Sequence, residues 1–372
     1  MLFGFRHQPL MLREDCTPRV HTLRLLAVVA GHKAAATILL LLCPVLFPAM
    51  FTPLARANLF QTWDTGAYLD IAARGYRSRE ACAFYPLWPA CIKVGSWLLG
   101  GRAAVAGYVL ANLFSLGGLL LFHRLVWERE GPSTADVSAL LLLLYPGAAF
   151  FCVPYSESLF FLLLMACLLC VRRRACVGAA VAAALLPLTR ATGIFVLPLI
   201  VWELFRNRAP LRQYVICVAP LAGYAAYFGI MRWCTGSAMA GFQAQRLYPA
   251  QPSIANILDV TGFLHCFIGF GWMHDYLHSF IDRFVFVAFL LTLFWIARLD
   301  IGYYVYAMLA GLLPALSNSL MSFTRFSTLV FPLFIVWGMA MKRGWCMPFV
   351  LLLFFGVQVM FLLLHVSGVW AG

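Results

Sequence analysis

Four charged side chains stand at the ends of apolar segments, where residues of their types could take part in chemistry. The carboxylates are Asp64 and Glu157, and the guanidinium groups are Arg190 and Arg325. A carboxylate directly beside hydrocarbon is costly and persists there with a purpose or a partner. A guanidinium at that level either reaches for lipid phosphate or grips a substrate phosphate with its planar fork. These residue types therefore suit a site that holds a phosphate at a membrane surface.

Asp64 and Asp70 lie in the same segment but have different local surroundings. Asp64 follows the aromatic Trp63 and has no cation nearby in the sequence, which suits an interfacial site. It could also be the N-cap of a helix that begins just after it. Asp70 and Arg74 are four residues apart, and on a helix that spacing predicts a simple side-chain pair. We interpret Asp70 as structural and Asp64 as the candidate site residue.

Glu157 lies in the short turn Pro154-Tyr-Ser-Glu-Ser158, between two apolar segments. An acid at this position can stabilise the start of the following helix through the helix dipole. It can also serve a site, and the two roles are compatible.

The other candidates for metal or redox chemistry have weak patterns. His274 and His278 are one helical turn apart beside Asp275, but no HExxH-type signature accompanies them. Cys167 and Cys170 lie inside an apolar run, where thiols behave as small hydrophobes. The sequence has no glycine-rich phosphate loop and no Asp-x-Asp pair for a nucleotide sugar. We therefore predict no metal and no cofactor, and a donor that is already activated and already in the membrane.

The composition requires a membrane around these residues. Of the 372 residues, 63% are hydrophobic and 11% are charged, whereas soluble domains are about 45–50% apolar and about 25% charged. No single globular core could bury so much apolar side chain, so a cytosolic enzyme and a secreted disulfide scaffold are excluded. The net charge of +13 falls in short clusters between apolar runs, as in cytoplasmic loops. A basic face with stacking aromatics, which nucleic acid would need, is absent from the sequence pattern.

A spanning helix needs about 20 apolar residues, and the apolar segments predict about eleven spans in an all-α polytopic bundle. We treat residues 1–372 as one domain. The candidate spans are 27–50, 103–123, 136–153, 157–171, 175–189, 192–205, 213–231, 284–298, 301–316, 327–341 and 346–366.

Basic residues at the ends of the spans predict the orientation. The N-terminal segment, predicted to be cytoplasmic, carries Arg6, Arg13, Arg19 and Arg24. Alternation from there places the long segments 51–102 and 232–283 on the outer face, where long polar loops usually build a site. The turns around Glu157, Arg190 and Arg325 fall on the same face. Two stretches there, 84–100 and 263–283, are predicted to be interfacial helices.

Four short motifs, in order along the chain, resemble the PIG-V-type mannosyltransferases. The segments WDTGAYLDIAARGY (63–76) and AFYPLWP (83–89) look like that family's first luminal loop. The segments YSESLF (155–160) and TRATG (189–193) resemble its second and third motifs. An Arg-Phe pair followed by Phe-Pro, within 325–332, resembles the pattern of its late helices.

The resemblance implies a glycosyltransferase of the GT-C type, a helical membrane bundle with outer interfacial helices. Such an enzyme takes a sugar, mannose in this family, from a polyprenyl (dolichyl) phosphate and needs no further cofactor. It implies transfer to a lipid-linked or cell-envelope acceptor on the lumenal or periplasmic side of the ER membrane or of a bacterial inner membrane.

The chemistry of this transfer assigns a role to each candidate residue. The acceptor hydroxyl loses its proton as it attacks C1, and Asp64 is the predicted base. The leaving phosphate gains charge, and Arg190 and Arg325 are predicted to stabilise it. Glu157 would orient a sugar hydroxyl or hold one of these arginines, and attack opposite the phosphate would invert the anomeric centre. Three aromatic residues are predicted to stack on sugar faces: Trp63, Tyr85 and Tyr155.

Two other classes of protein fit parts of the sequence. A transporter or flippase of a lipid-linked or small polar substrate would suit many spans with broken helices. Transporters tend to place charges near the bilayer midplane and often contain two related halves, whereas here nearly every acid lies at a loop edge and no repeat is found. The third class is a non-catalytic subunit of a glycosylation complex, and the presence of all four charged residues argues against it.

Overall fold

The computed structural model of this chain is built from α-helices joined by short 3₁₀ turns. No β-strand occurs among the residues that it describes. Those residues are 18–51, 55, 59–248, 254–269, 271, 274, 278–316 and 320–371.

Sixteen helical segments organise this part of the chain. In chain order they are α1 Pro18–Leu46, α2 Asp64–Arg74, α3 Leu87–Leu98, α4 Ala103–Glu130, α5 Pro132–Leu144, α6 Glu157–Arg172, α7 Cys176–Thr189, α8 Val196–Arg206, α9 Val218–Thr235, α10 Ala240–Gln245, α11 Val260–Ile268, α12 Phe280–Leu299, α13 Ile301–Leu316, α14 Phe323–Ser327, α15 Phe331–Met341 and α16 Met347–Ser367.

Five of the described elements are long and apolar enough to cross a membrane. They are α1, α4, α12, α16 and the segment Leu211–Thr235, which ends with α9. The shorter helices α5, α7, α13 and α15 are also apolar. The prediction of an all-α, multi-pass membrane protein is therefore confirmed, whereas the predicted number of spans is not confirmed and stays a prediction.

Proline breaks one of the predicted spans close to Arg325. The span predicted at 136–153 consists of α5 and a separate 3₁₀ helix over Pro146–Phe151. Proline lacks an N–H and disfavours the helical conformation in the residue before it, so α5 cannot continue through Pro146. The 3₁₀ helix packs against α14, which carries Arg325. The break therefore supplies a tight backbone turn next to one of the candidate residues.

The two stretches predicted as interfacial helices are helical over part of their length. In 84–100, α3 begins directly after Pro86 and runs for 12 residues. In 263–283, α11 ends at Ile268, and α12 begins at Phe280. Some predicted features lie outside the described residues, namely Arg6, Arg13, the side chain of Arg19, Asp275 and positions 270, 272–273, 276 and 277.

Charged side chains collect at two opposite ends of the bundle. Helix α6 begins at Glu157 and ends at Arg172, which separates these residues by about 22 Å at 1.5 Å per residue. At the Arg172 end, this guanidinium donates to Glu203 of α8 at 3.0 Å. Asp300, between α12 and α13, accepts there from Arg129 at 3.0 Å and from Arg206 at 2.7 Å. We call these five residues the distal ion cluster.

Candidate active site

The four candidate residues predicted from the sequence lie together at the other end of the bundle. Asp64 is the first residue of α2, Glu157 is the first residue of α6, and Arg190 directly follows α7. Arg325 lies in the five-residue helix α14. We call these four residues the charged quartet.

Asp64 belongs to the first turn of α2 and does not act as its N-cap. The N-cap position is occupied by Trp63, whose side chain makes no capping bond. The Asp64 carboxylate instead accepts a hydrogen bond from Arg325 Nη1 at 2.9 Å. The N-cap interpretation of Asp64 was therefore wrong, because the helix begins one residue earlier than that interpretation requires. The Asp64 carboxylate bonds Arg325, which is far away in the sequence, instead of capping the helix.

Arg325 is the centre of the charged quartet. Its Nε donates to Glu157 Oε1 at 2.5 Å, while its Nη1 bonds Asp64. Its guanidinium carbon lies 4.4 Å from the ring centre of Tyr155 and 5.0 Å from that of Phe150. Only a planar group with several fixed donors can bond two carboxylates while it stacks on aromatic rings.

Arg190 is held by the same carboxylate as Arg325. Its Nη1 lies 2.7 Å from Glu157 Oε1 and donates to Ser156 Oγ at 3.2 Å. The backbone of Arg190 is extended, with φ −158°, where α7 gives way to a 3₁₀ turn. A single oxygen of Glu157 thus fixes both guanidinium groups.

The two carboxylates differ in their access to solvent and substrate. The Asp64 side chain is 23% exposed, whereas the Glu157 side chain is 1% exposed. The second oxygen of Glu157 is buried without a hydrogen-bond partner among the described residues. Asp64 is therefore the carboxylate that a bound molecule can reach, and Glu157 is in a position to hold the arginines.

Backbone contacts explain how α14 brings Arg325 to the other residues of the quartet. The backbone N–H of Thr324, in the first turn of α14, donates to the buried Asp282 of α12 at 2.7 Å. Ser322 makes no side-chain cap, so Asp282 satisfies a donor that the helix start leaves open. A Cβ on Gly147 would overlap the carbonyl of Thr324. The turn after α5 therefore requires glycine at this close approach.

The three aromatic residues predicted to stack on sugars have three different surroundings. Trp63 is 42% exposed beside Asp64. Tyr155 is fully buried, and its ring faces the Arg325 guanidinium. Tyr85 stacks on Tyr227 at 4.5 Å in a separate aromatic cluster and has no described contact with the quartet. Of the three, only Trp63 lies beside the quartet with an open ring surface.

Tyr68 is a site residue that the sequence analysis did not select. Its hydroxyl lies 3.0 Å from Ser156 Oγ, which in turn accepts from Arg190. Burial raises the pKa of the Tyr68 phenol well above its usual value, and the nearby Glu157 charge adds to the shift. The hydroxyl is therefore neutral. Tyr68 lies four residues after Asp64 and therefore on the same face of α2, and this spacing could have identified it from the sequence.

The remaining sequence candidates make no described hydrogen bond or ion pair with the quartet. Asp70 and Arg74 form the predicted pair along α2, and both side chains are exposed. His274 Nδ1 lies 3.0 Å from Ser279 Oγ, and His278 bonds the carbonyl of Gly269. Within the described residues, no group of three His, Cys, Asp or Glu side chains is arranged to hold a metal ion.

Comparison with known sequences gives one family. The sequence model of a family described as Mannosyltransferase (PIG-V) matches residues 21–206, which is half of the chain. The matched region contains Asp64, Glu157 and Arg190 and ends before Arg325. No curated protein sequence matches the chain significantly.

Comparison with solved structures finds loose similarity to an archaeal oligosaccharyltransferase. The oligosaccharyltransferase AglB from Archaeoglobus fulgidus, in complex with an inhibitory peptide and a dolichol-phosphate, is 11% identical with a TM-score of 0.48. The alignment covers 95% of this chain and 56% of AglB. The apo form of the A. fulgidus oligosaccharyltransferase gives 11% identity and a TM-score of 0.49, with 96% and 57% covered. This chain thus spans little more than half the length of that enzyme.

Proposed function

Since the chain belongs to the PIG-V mannosyltransferase family, we propose that it is a membrane mannosyltransferase that uses a polyprenyl-phosphate sugar. The observation that carries this proposal is the charged quartet. One partly exposed carboxylate, Asp64, touches a guanidinium that a buried carboxylate, Glu157, holds in place. A glycosyl transfer from a phosphate needs these two groups, a base and a fixed cation, side by side.

In the proposed reaction, Asp64 is the general base. The acceptor hydroxyl attacks C1 of the sugar, the bond from C1 to the phosphate oxygen breaks, and the hydroxyl proton passes to the Asp64 carboxylate. A positioned base of this type contributes about 10²- to 10⁴-fold to the rate. Because attack occurs opposite the leaving phosphate, a β-linked donor gives an α-linked product.

Arg325 and Arg190 are the proposed phosphate ligands. Charge builds up on the phosphate as the glycosidic bond breaks, so a guanidinium aimed there stabilises the transition state more than the bound substrate. Arg325 Nη1 donates to Asp64 at 2.9 Å. We expect the donor phosphate to take over the Nη1 group and thereby release the Asp64 oxygen for the acceptor hydroxyl.

The donor and acceptor are proposed from their chemistry. A lipid-linked donor is already activated and needs no nucleotide-binding loop and no cofactor. The acceptor would be a lipid-linked or cell-envelope glycan on the outer side of an ER or bacterial inner membrane, and the exposed Trp63 ring would stack on its sugar or on that of the donor.

The test uses the full chain, purified in detergent, with synthetic polyprenyl-phosphate mannose and an acceptor extract. Asp64→Asn keeps the side-chain shape and removes the base, while Asp70→Asn in the same helix is the matched control. We expect transfer by the wild type and the control, and a loss of about 100-fold or more in Asp64→Asn. Equal rates in all three proteins would contradict the role of Asp64.

A second arm separates the transferase from the transporter class. The wild type is reconstituted in vesicles and supplied with polyprenyl phosphates that carry mannose, glucose or galactose. Transfer of one sugar identifies the donor. Movement of the intact lipid-linked sugar across the bilayer, without release of the polyprenyl phosphate, would overturn the proposed activity and support a flippase.

A further inference from the structure

The C-terminal end of the chain contacts the loop on both sides of Asp64. His365, in the last turn of α16, places its Nε2 atom 3.2 Å from Thr62 Oγ1 and 3.4 Å from Thr65 Oγ1. These hydroxyls belong to the residues two before and one after Asp64. One imidazole therefore spans the start of α2 without touching the Asp64 carboxylate in the described contacts.

Trp63, one of the two residues between Thr62 and Thr65, is held by the segment that follows α16. Trp63 Nε1 donates to the carbonyl of Val369 at 3.2 Å, and its ring meets that of Trp370 edge-on at 5.0 Å. Trp63 has φ +52°, a conformation that bulky residues rarely adopt. Such a backbone persists only where its surroundings hold it. We call His365, Val369 and Trp370 the C-terminal clasp.

The clasp also reaches the aromatic rings that flank Arg325. The His365 ring packs edge-on against Tyr155 at 5.3 Å and against Phe150 at 5.9 Å. The same two rings face the Arg325 guanidinium. His365 is buried, and it lies between the loop that carries Asp64 and the two aromatic rings that stack on Arg325.

We propose that His365 is a positioning residue that fixes the Asp64 carboxylate relative to Arg325. The proposal rests on the proposed function above, because it assigns His365 to the geometry of that transfer. His365 lies outside residues 21–206, the segment matched by the family. The hydrogen bonds to Thr62 and Thr65 hold a strained loop, and a displacement of about 1 Å at a reacting group can cost about 100-fold in rate.

The first test compares His365→Ala with His32→Ala. His32 Nε2 lies 2.7 Å from Gln358 Oε1 on the same helix, α16, so this control also removes a histidine contact of α16 but leaves the loop alone. For His365→Ala we expect kcat to fall about 10- to 100-fold with little change in the KM for the donor. His365→Gln, which supplies a side-chain amide in place of the imidazole Nε2 for the threonine hydroxyls, should recover part of kcat. Equal kcat in His365→Ala and His32→Ala would overturn the proposal.

The second test asks whether His365 acts through Asp64. When Asp64 is already Asn, the added His365→Ala change should lower the residual rate less than threefold, since there is no base left to position. Two full, independent losses would contradict a positioning role. Should His365→Ala not fold, the pair Thr62→Val and Thr65→Val removes the same bonds from the other side, with the same expected loss of kcat.

The third test does not depend on transfer activity. Hydrogen–deuterium exchange of the segment 60–66 should be faster in His365→Ala than in the wild type, and unchanged in His32→Ala. If the wild type transfers no sugar but this exchange difference is found, the proposed function fails while the clasp stands. If the wild type is active and neither exchange nor kcat responds to His365→Ala, the clasp proposal fails alone.

Discussion

At the scale of single residues, the site depends on an asymmetry between two carboxylates. Glu157 is buried and bonds Arg190 and Arg325 through one oxygen, whereas Asp64 is partly exposed and, among the described residues, its side chain bonds Arg325 alone. Removing one partner of a buried ion pair leaves an uncompensated charge and costs about 3–5 kcal/mol. A partly exposed carboxylate can be neutralised at a smaller cost to the fold.

This asymmetry predicts opposite phenotypes for two isosteric variants. Glu157→Gln should lower both the thermal unfolding temperature and the transfer rate, because the buried Arg325 and the partly buried Arg190 lose the negative charge of their shared partner. Asp64→Asn should lose transfer and unfold within a few degrees of the wild type. Thermal unfolding in detergent, measured beside the transfer rate, checks both. A Glu157→Gln protein as stable as the wild type would refute this division of roles.

We predict that the planar shape of the Arg325 guanidinium is needed as well as its charge. Lysine keeps the positive charge of Arg325 but carries all its donors on one nitrogen, so it lacks the fixed plane with which Arg325 bonds Glu157 through Nε and Asp64 through Nη1 while stacking on Tyr155. We expect Arg325→Lys to lose about 10-fold or more in kcat, since the phosphate loses a fixed cation. Arg74→Lys, at an exposed arginine of α2, is the control. Wild-type kcat in Arg325→Lys would show that charge alone is sufficient.

At the scale of elements, short helices and turns bring distant segments to the quartet. Gly147 allows the 3₁₀ turn after α5 to touch Thr324 of α14, where a Cβ would overlap the carbonyl. We predict that Gly147→Ala displaces α14, and with it Arg325, and lowers both unfolding temperature and activity. Gly229→Ala in α9 is the control, because nothing lies within 4 Å of its added Cβ. Equal effects of the two substitutions would contradict the close-packing argument.

Apolar length predicted some elements well and others poorly. The span predicted at 157–171 corresponds closely to α6, Glu157–Arg172, because an acid starts it and a run of arginines ends it. The span predicted at 136–153 is broken at Pro146. Hydrophobicity indicates that a segment avoids water, but it does not indicate whether the backbone stays helical, which is decided by single residues.

At the scale of the whole molecule, charge is concentrated at both ends of α6. The distal ion cluster joins α4, α6, α8 and the junction of α12 with α13, about 22 Å from the quartet. Asp300 accepts there from Arg129 and Arg206 and from the backbone of Tyr303. Its contacts lie far from the proposed chemistry, which indicates a structural role.

This separation predicts that stability and catalysis can be altered independently. Asp300→Asn should lower the unfolding temperature, because Arg129 and Arg206 lose a buried partner. The kcat per folded molecule should stay at the wild-type value. Active-site titration with tight-binding donor, or size-exclusion recovery of folded protein, gives the folded fraction. A large drop in kcat per folded molecule would show that the two ends are coupled.

The sequence could name the quartet but not its assembly. Asp64 and Arg325 are 261 residues apart, and residue type with predicted face was enough to select both. Face prediction cannot give distances, so it could not show that one Glu157 oxygen holds two arginines, or that Tyr85 stacks elsewhere on Tyr227. His365 was missed because a histidine in an apolar helix has no local pattern that separates a packed residue from a site residue.

The role of Asp64 as the base is tested most directly by the single-turnover rate of sugar transfer from polyprenyl-phosphate mannose. Measured with enzyme in excess, this rate reports the chemical step and is insensitive to product release. We predict that Asp64→Asn slows this step by about 100-fold or more, while Asp70→Asn transfers at the wild-type rate. A single-turnover rate in Asp64→Asn equal to that of the wild type would contradict Asp64 as the base and, with it, the proposed mechanism.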